Sequence, residues 1–196
     1  MKQNDLMKGL IVYIFIIVIF TACKDDTLPK PNAFLTLEYP EAEYSRVNIA
    51  CPYNFEKNNI AQIKAPKGNN PCWINLEYPL MDAAVFITYR QVQGNLDSLL
   101  MDAQKLPLQH TIKADFIEGD IYTNPEHKVY GMFYEIEGNA ASQAQFYITD
   151  STEHFMTGAL YFNQKPNFDS IMPAAAYLKK DMKHLMESLR WENYKK

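Results

Sequence analysis

Glycine is scarce and dispersed in this chain. The 196 residues hold seven, none of them clustered, which leaves no phosphate-cradling loop and no dinucleotide fingerprint. Histidine is rarer still: His110, His127, His154 and His184 fall on four separate stretches. None pairs with another at the i, i+4 spacing of a helical metal site, so each reads as a surface or satisfied side chain. Long apolar runs are missing as well. Residues 10–20 form an apolar stretch of 11, about half of what a bilayer-spanning helix needs. Charge of one sign never accumulates: 19 basic and 23 acidic residues are interspersed, for a net −4. With no basic stripe and no acidic tail, neither nucleic acid nor a charged interaction arm is indicated. There is no internal repeat and no low-complexity segment.

Catalytic motifs are equally thin. No Gly-x-Ser-x-Gly elbow occurs. Asp150, Ser151 and His154 bring three triad residue types close in sequence, but triads are assembled by the fold, and Asp-Ser-Thr is turn chemistry. Lys113 and Asp115 could pair to fix a helix end. Glu135 and Glu137 alternate onto one strand face, which reads as solvated. These residues supply no catalytic constellation, and the sequence calls for no cofactor and no metal.

What is present begins at the N-terminus. Lys2 and Lys8 precede the apolar run, and Thr21-Ala22-Cys23 follows it. Basic start, short apolar core and small residues make a secretory signal. The cysteine directly after Ala22 resembles the end of a bacterial lipoprotein signal, with Phe20 where leucine is usual. In such proteins cleavage precedes the cysteine, which then carries lipid such as palmitate. The chain thus divides into a signal peptide at 1–22, a lipidated tether at 23–32 and one domain at 33–196. Residues 24–32 are polar, with two prolines, and suit a tether. Lys24-Asp25-Asp26 resembles a short surface-export signal, and a solvated linker start explains it equally well. If Cys23 is lipidated, Cys51 and Cys72 remain as a pair for a disulfide in an oxidising compartment, the alternative being two buried thiols.

The periodicity predicts an α+β domain, a single curved antiparallel sheet with helices packed on it. Strands are expected at 33–38, 72–78 and 84–89, with short extended pieces at 53–55 and 61–64. Asn95 is placed to cap a helix with Leu96, Leu99, Leu100, Ala103 and Leu106 on its apolar face, ended or kinked by Pro107. Residues 110–115 could add a helical turn. Four strands then follow at 117–122, 128–136, 143–149 and 154–163, linked by short hairpin-type connections. A long C-terminal helix closes the chain, with Ser170 as N-cap, Pro173 in its first turn and an apolar stripe from Phe168 to Leu189. This order of elements is similar to that of the PsbP-like fold.

Two features could carry binding. One is the small polar loop Gly138, Asn139, Ala140, Ala141 and Ser142, since loops on rigid sheets often do. The other is a set of aromatics, Tyr39, Tyr44 and Tyr53, able to form a docking surface. An apolar pocket lined by methionine and aromatic side chains would suit a lipid or small apolar ligand.

Residues 51–55 (CPYNF), 71–75 (PCWIN), 110–115 (HTIKAD), 128–131 (KVYG), 138–142 (GNAAS), 149–152 (TDST), 154–155 (HF) and 158–163 (GALYFN) run in order along the domain. On these stretches the chain resembles the GldD family of gliding motility lipoproteins of the Bacteroidetes. The resemblance implies a lipid-anchored envelope protein without enzyme activity, needed for gliding and for the linked type IX secretion system. It implies partners among other gliding and secretion lipoproteins and envelope proteins, and a place at the outer membrane, on its periplasmic or surface leaflet.

Overall fold

The computed structural model describes residues 38–66, 70–164 and 167–192. The expected signal, lipidation site, tether and most of the first expected strand lie outside them. In chain order the elements are β1 (Tyr44–Arg46), β2 (Tyr53–Asn54), β3 (Glu56–Asn58), β4 (Gln62–Lys64), β5 (Ile74–Tyr78) and β6 (Ala83–Gln91). Then come α1 (Leu96–Leu108), β7 (Ala114–Asn124), β8 (Val129–Gly138), β9 (Ser142–Thr149), β10 (His154–Phe162), α2 (Phe168–Ser188) and β11 (Arg190–Trp191).

Seven strands form one antiparallel sheet in the order β4-β5-β6-β10-β9-β8-β7. The strands from β7 to β10 are a meander, as short connections between alternating segments require. β6 enters beside β10, with Ile87 opposite Gly158 and Ala83 opposite Phe162. Two small pairings lie outside this sheet: β1 with β3, and β11 with β2.

Each face of the sheet has its own helix. The stripe Leu178, Met182, Leu185 and Met186 of α2 packs in one cluster with Val85, Ile87, Phe146, Ile148, Met156 and Leu160. On the other face, Leu99 and Ala103 of α1 pack on Tyr147 and Phe155. The fold is therefore a single α+β domain with a long C-terminal helix. Period-2 spacing in the strands and period-3.6 spacing in the helices give three layers, α2, sheet and α1.

Close packing within the sheet needs glycine at two positions. A Cβ on Gly131 of β8 would overlap the Tyr147 carbonyl oxygen of β9, and one on Gly158 would overlap the Phe146 ring.

Several helix boundaries differ from expectation. The N-cap of α2 is Asn167, not Ser170. Ser170 lies in the first turn, where its N–H and hydroxyl both donate to the Asn167 carbonyl. The helix starts earlier because Asn139 Oδ1 accepts the Phe168 N–H at 3.0 Å, satisfying one of the donors that a helix start leaves unpaired. Pro173 is consequently inside the helix. Pro107 is buried in the last turn of α1, which ends one residue later at Leu108. Beyond it, residues 110–113 make one further turn, and the Ala114 N–H bonds the His110 carbonyl as β7 begins.

Candidate functional site

Cys51 and Cys72 form a disulfide, with Cα atoms 5.5 Å apart and 21 residues of sequence separation. Both half-cystines are buried. The bridge ties the segment carrying β2, β3 and β4 to the start of β5 at a point the Tyr53 hydroxyl reinforces, donating to the Cys72 carbonyl at 2.8 Å.

The loop at 138–142 faces inward more than outward. Ala140 and Ser142 are buried, and Asn139 and Ala141 are exposed. Gln143, also buried, donates from Nε2 to the carbonyls of Gly138 and Ala140 at 3.2 and 3.0 Å. Gly138 adopts φ +99°, a conformation that favours glycine, and a Cβ there would meet Asp115. The loop's one outward-reaching polar group, Asn139, is the side chain that receives the start of α2.

The three tyrosines do not share one exposed surface. Tyr53 is fully buried, stacked near Phe55 and tilted against Tyr89. Tyr39 and Tyr44 are half-buried against α2, Tyr39 on Tyr177 and Tyr44 on His184. A lone tyrosine in a polar sequence context gave no signal that the chain doubles back under it.

The most unusual chemistry lies under this doubled-back segment. Asp181 of α2 is a buried carboxylate. The Tyr44 hydroxyl donates to its Oδ1 at 2.7 Å, and Asn58 Nδ2 donates to its Oδ2 at 2.9 Å and to the Tyr177 hydroxyl at 2.8 Å. Burial pushes the Asp181 carboxyl up from 3.8, while hydrogen bonds from Tyr44, Asn58 and Tyr78 oppose the rise. One turn along, His184 stacks on Tyr44 with ring centroids 3.6 Å apart and bonds Glu56 of β3 at 3.0 Å. The Ser188 hydroxyl accepts the Glu56 N–H. Thus Asp181, His184 and Ser188, spaced along α2, hold the β1–β3 pair onto the helix. The sequence did carry a trace of this: Asp181 is three residues after Leu178 and four before Leu185, inside the apolar stripe.

The other charged candidates are also structural. Glu135 faces α2, not solvent, and accepts from Lys183 at 2.7 Å and Lys179 at 3.1 Å. Burial alone would raise its carboxyl; the two ammonium groups outweigh that and hold it below 4.5. Asp150 organises the turn into β10, its Oδ1 accepting the N–H groups of Thr152, Glu153 and His154. His154 turns its Nδ1 to the Tyr89 hydroxyl at 2.8 Å and stacks on Trp191. Burial lowers its pKa against the pull of Asp150 and Glu153. Ser151, with φ +69°, is exposed at the turn. No nucleophile–base pair forms among these residues.

A cavity of about 100 Å³ opens between α1 and the sheet, where His110 Nε2 meets Gln145 Nε2 at 2.9 Å. Burial lowers the His110 pKa. The cavity is smaller than the roughly 300–1,000 Å³ of small-molecule sites. Among the described residues, no group of three or more His, Cys, Asp or Glu is placed to hold a metal. No described helix is long and apolar enough to cross a membrane.

A search of curated proteins finds no match to the chain. One family model does match it, over residues 24–191, and its description is gliding motility lipoprotein GldD. The matched stretch opens on the residue after Cys23 and closes on β11.

Proposed function

The chain belongs to the gliding motility lipoprotein GldD family, and from that premise we propose that it is a non-enzymatic component of the cell envelope, anchored through lipid on Cys23, that assembles or stabilises the gliding apparatus and the type IX secretion machinery linked to it. Family membership across the whole described domain is the observation that carries this reading. The layout of residues 1–23 supports the anchor: a basic start, an apolar run of 11 and a cysteine after Ala22. A lipid on Cys23 confines the domain to the membrane surface and raises its effective concentration for envelope partners, other gliding and secretion lipoproteins among them. Firm retention takes more than one acyl chain. The outer membrane is the membrane proposed. The domain's own contribution is a rigid body, cross-linked at Cys51–Cys72 and latched through Asp181.

The test compares the extracellular proteome of a deletion strain, a complemented strain and a strain carrying Cys23→Ala. Loss of type IX cargo from the medium of the deletion strain, with accumulation in the periplasm, is expected. The Cys23→Ala strain should release or mislocalise the protein and show the same secretion defect in weaker form. Unchanged secretion in the deletion strain removes the link to type IX secretion. Normal membrane retention of the Cys23→Ala protein removes the anchor.

A further inference from the structure

The register of the sheet gathers one set of connections at one end. Tyr78, ending β5, is opposite Ala83, and Ala83 is opposite Phe162 at the end of β10. Tyr161 is opposite Ser142, the start of β9, and Gly138, ending β8, is opposite Ala114, the start of β7. This end therefore displays the turn at Pro79–Met81, the C-terminus of α1, the run into β7 and the start of α2.

Large apolar side chains are exposed here. Ile112 is 88% exposed, Leu80 74%, Leu108 60%, Phe116 53% and Leu106 44%. The opposite end of the sheet differs. Its described connections are residues 65–66, 70–73, 92–95, 125–128 and 150–153, built of polar residues, glycine and proline apart from the small Ala65, the buried Cys72 and the half-buried Trp73 and Val92. Among the described residues, no large exposed apolar side chain lies in them. The remaining exposed apolar side chains, Ile63, Phe86, Met101 and Ile121, lie along strands and mid-helix. A soluble domain scatters such residues singly; their concentration at one end marks a contact surface.

The chain itself indicates what that surface meets. Glu38, Tyr39 and Pro40, where the described chain begins, line an open groove together with Leu80, Phe162 and Ile171. The domain is thus entered at its apolar end. Between Cys23 and Glu38 there are 15 residue steps, enough to reach about 50 Å when extended. A tether of that length permits the body to stand off or to settle, and the side chains at its entry decide between these.

We propose that this end of the sheet is a second, non-covalent membrane contact: the domain settles on the lipid surface with Leu80, Leu108, Ile112 and Phe116 at the acyl boundary. The inference rests on lipid at Cys23 for its proximity. Lys105 and Lys113 are exposed at the same end, but so are Asp82, Asp115 and Asp169, so the contact is apolar in character and persists at high salt. Settling fixes the orientation of the body and turns the polar end, with Asp150 and Glu153, toward partners.

The test uses the full lipidated chain in vesicles of phosphatidylethanolamine and phosphatidylglycerol that include acyl-brominated lipid. Leu80→Trp and Ile112→Trp each add one emitter at the apolar end, and Gln93→Trp adds one at the other; all three positions are exposed. The emission added at 80 and 112 should fall about twofold against unbrominated vesicles, as expected for insertion of about 5–10 Å, and the emission added at 93 should not change. Equal quenching at both ends, or none, in protein that floats with the vesicles overturns the contact and leaves the anchor standing. Protein that does not float overturns both. A photo-crosslinker at position 112 that captures a protein in cells, with no quenching in vesicles, assigns this end to a protein partner instead and overturns the membrane contact.

Discussion

Replacing Asp181 should unfasten the N-terminal segment from α2, and the size of the effect can be worked from its partners. Asp181→Ala leaves the Tyr44 hydroxyl and Asn58 Nδ2 without the acceptor they hold at 2.7 and 2.9 Å. An orphaned buried donor costs about 1–3 kcal/mol, and the half-buried Tyr44 hydroxyl costs less than Asn58, so the variant should lose about 3 kcal/mol. In a domain of this size that is roughly a 9 °C fall in Tm. Asp181→Asn keeps one acceptor oxygen and turns an NH2 toward the other donor, so it should cost about half as much. Tyr44→Phe should cost least, since it removes the donor and leaves Asn58 in place. The pH dependence has a defined sign. Burial holds the folded carboxyl above 3.8, so the folded state binds more protons than the unfolded one above that pH. Wild-type stability therefore carries a component that falls as pH rises from about 4 through the folded value. Asp181→Asn lacks that component, so its penalty should be larger at pH 3.5 than at pH 7. Urea denaturation followed by circular dichroism at both pH values reads all three variants. An Asp181→Ala cost under about 1 kcal/mol would refute the latch, and an Asn penalty that grows with pH would refute the sign.

Two further predictions concern the covalent and steric constraints. Reduction, or the double variant Cys51→Ala/Cys72→Ala, opens a loop of 21 residues and should cost about 3 kcal/mol, near 9 °C in Tm; the double variant should then be insensitive to reductant, and a wild-type Tm unmoved by reductant would sink the prediction. Gly131→Ala forces a Cβ into the Tyr147 carbonyl and should cost more than about 2 kcal/mol, whereas Gly94→Ala, with open space and φ +72°, should cost about 1 kcal/mol from backbone strain alone; equal costs in urea titrations would show that β8 yields freely.

The central body was legible because its periods are clean. Residues 143–149 and 154–162 are short stretches set off by turn residues 150–153, and Leu178, Met182, Leu185 and Met186 repeat at helical spacing. The N-terminal third was not legible to the same depth. β1, β2 and β3 have three residues or fewer, too short to show a period; β1 and β3 are held by Asp181, His184 and Ser188 of α2, and β2 by β11. The boundary of α2 was misplaced for a related reason: Asn167 and Ser170 are equally good local caps, and Asn139, far away in sequence, supplies the acceptor that starts the helix at Phe168. Glu135 read as solvated because alternation assigns a face but does not say what covers it; Lys179 and Lys183 do. The loop at 138–142 looked available for binding because its residues are small and polar, and those same properties let it pack inward.

The β11–β2 pairing bears on when this protein can fold. Arg190 and Trp191 supply the strand opposite Asn54 and Tyr53, and β1 and β3 close on Asp181 and Ser188. β1, β2 and β3 have their partners in α2 and β11, so they cannot close until nearly the last residues arrive. A chain led through a membrane by its N-terminus therefore delivers those early residues while their partners are still on the far side. Such long-range closure is slow to form, so a chain led in that way would stay threadable during transit and fasten its first segment last.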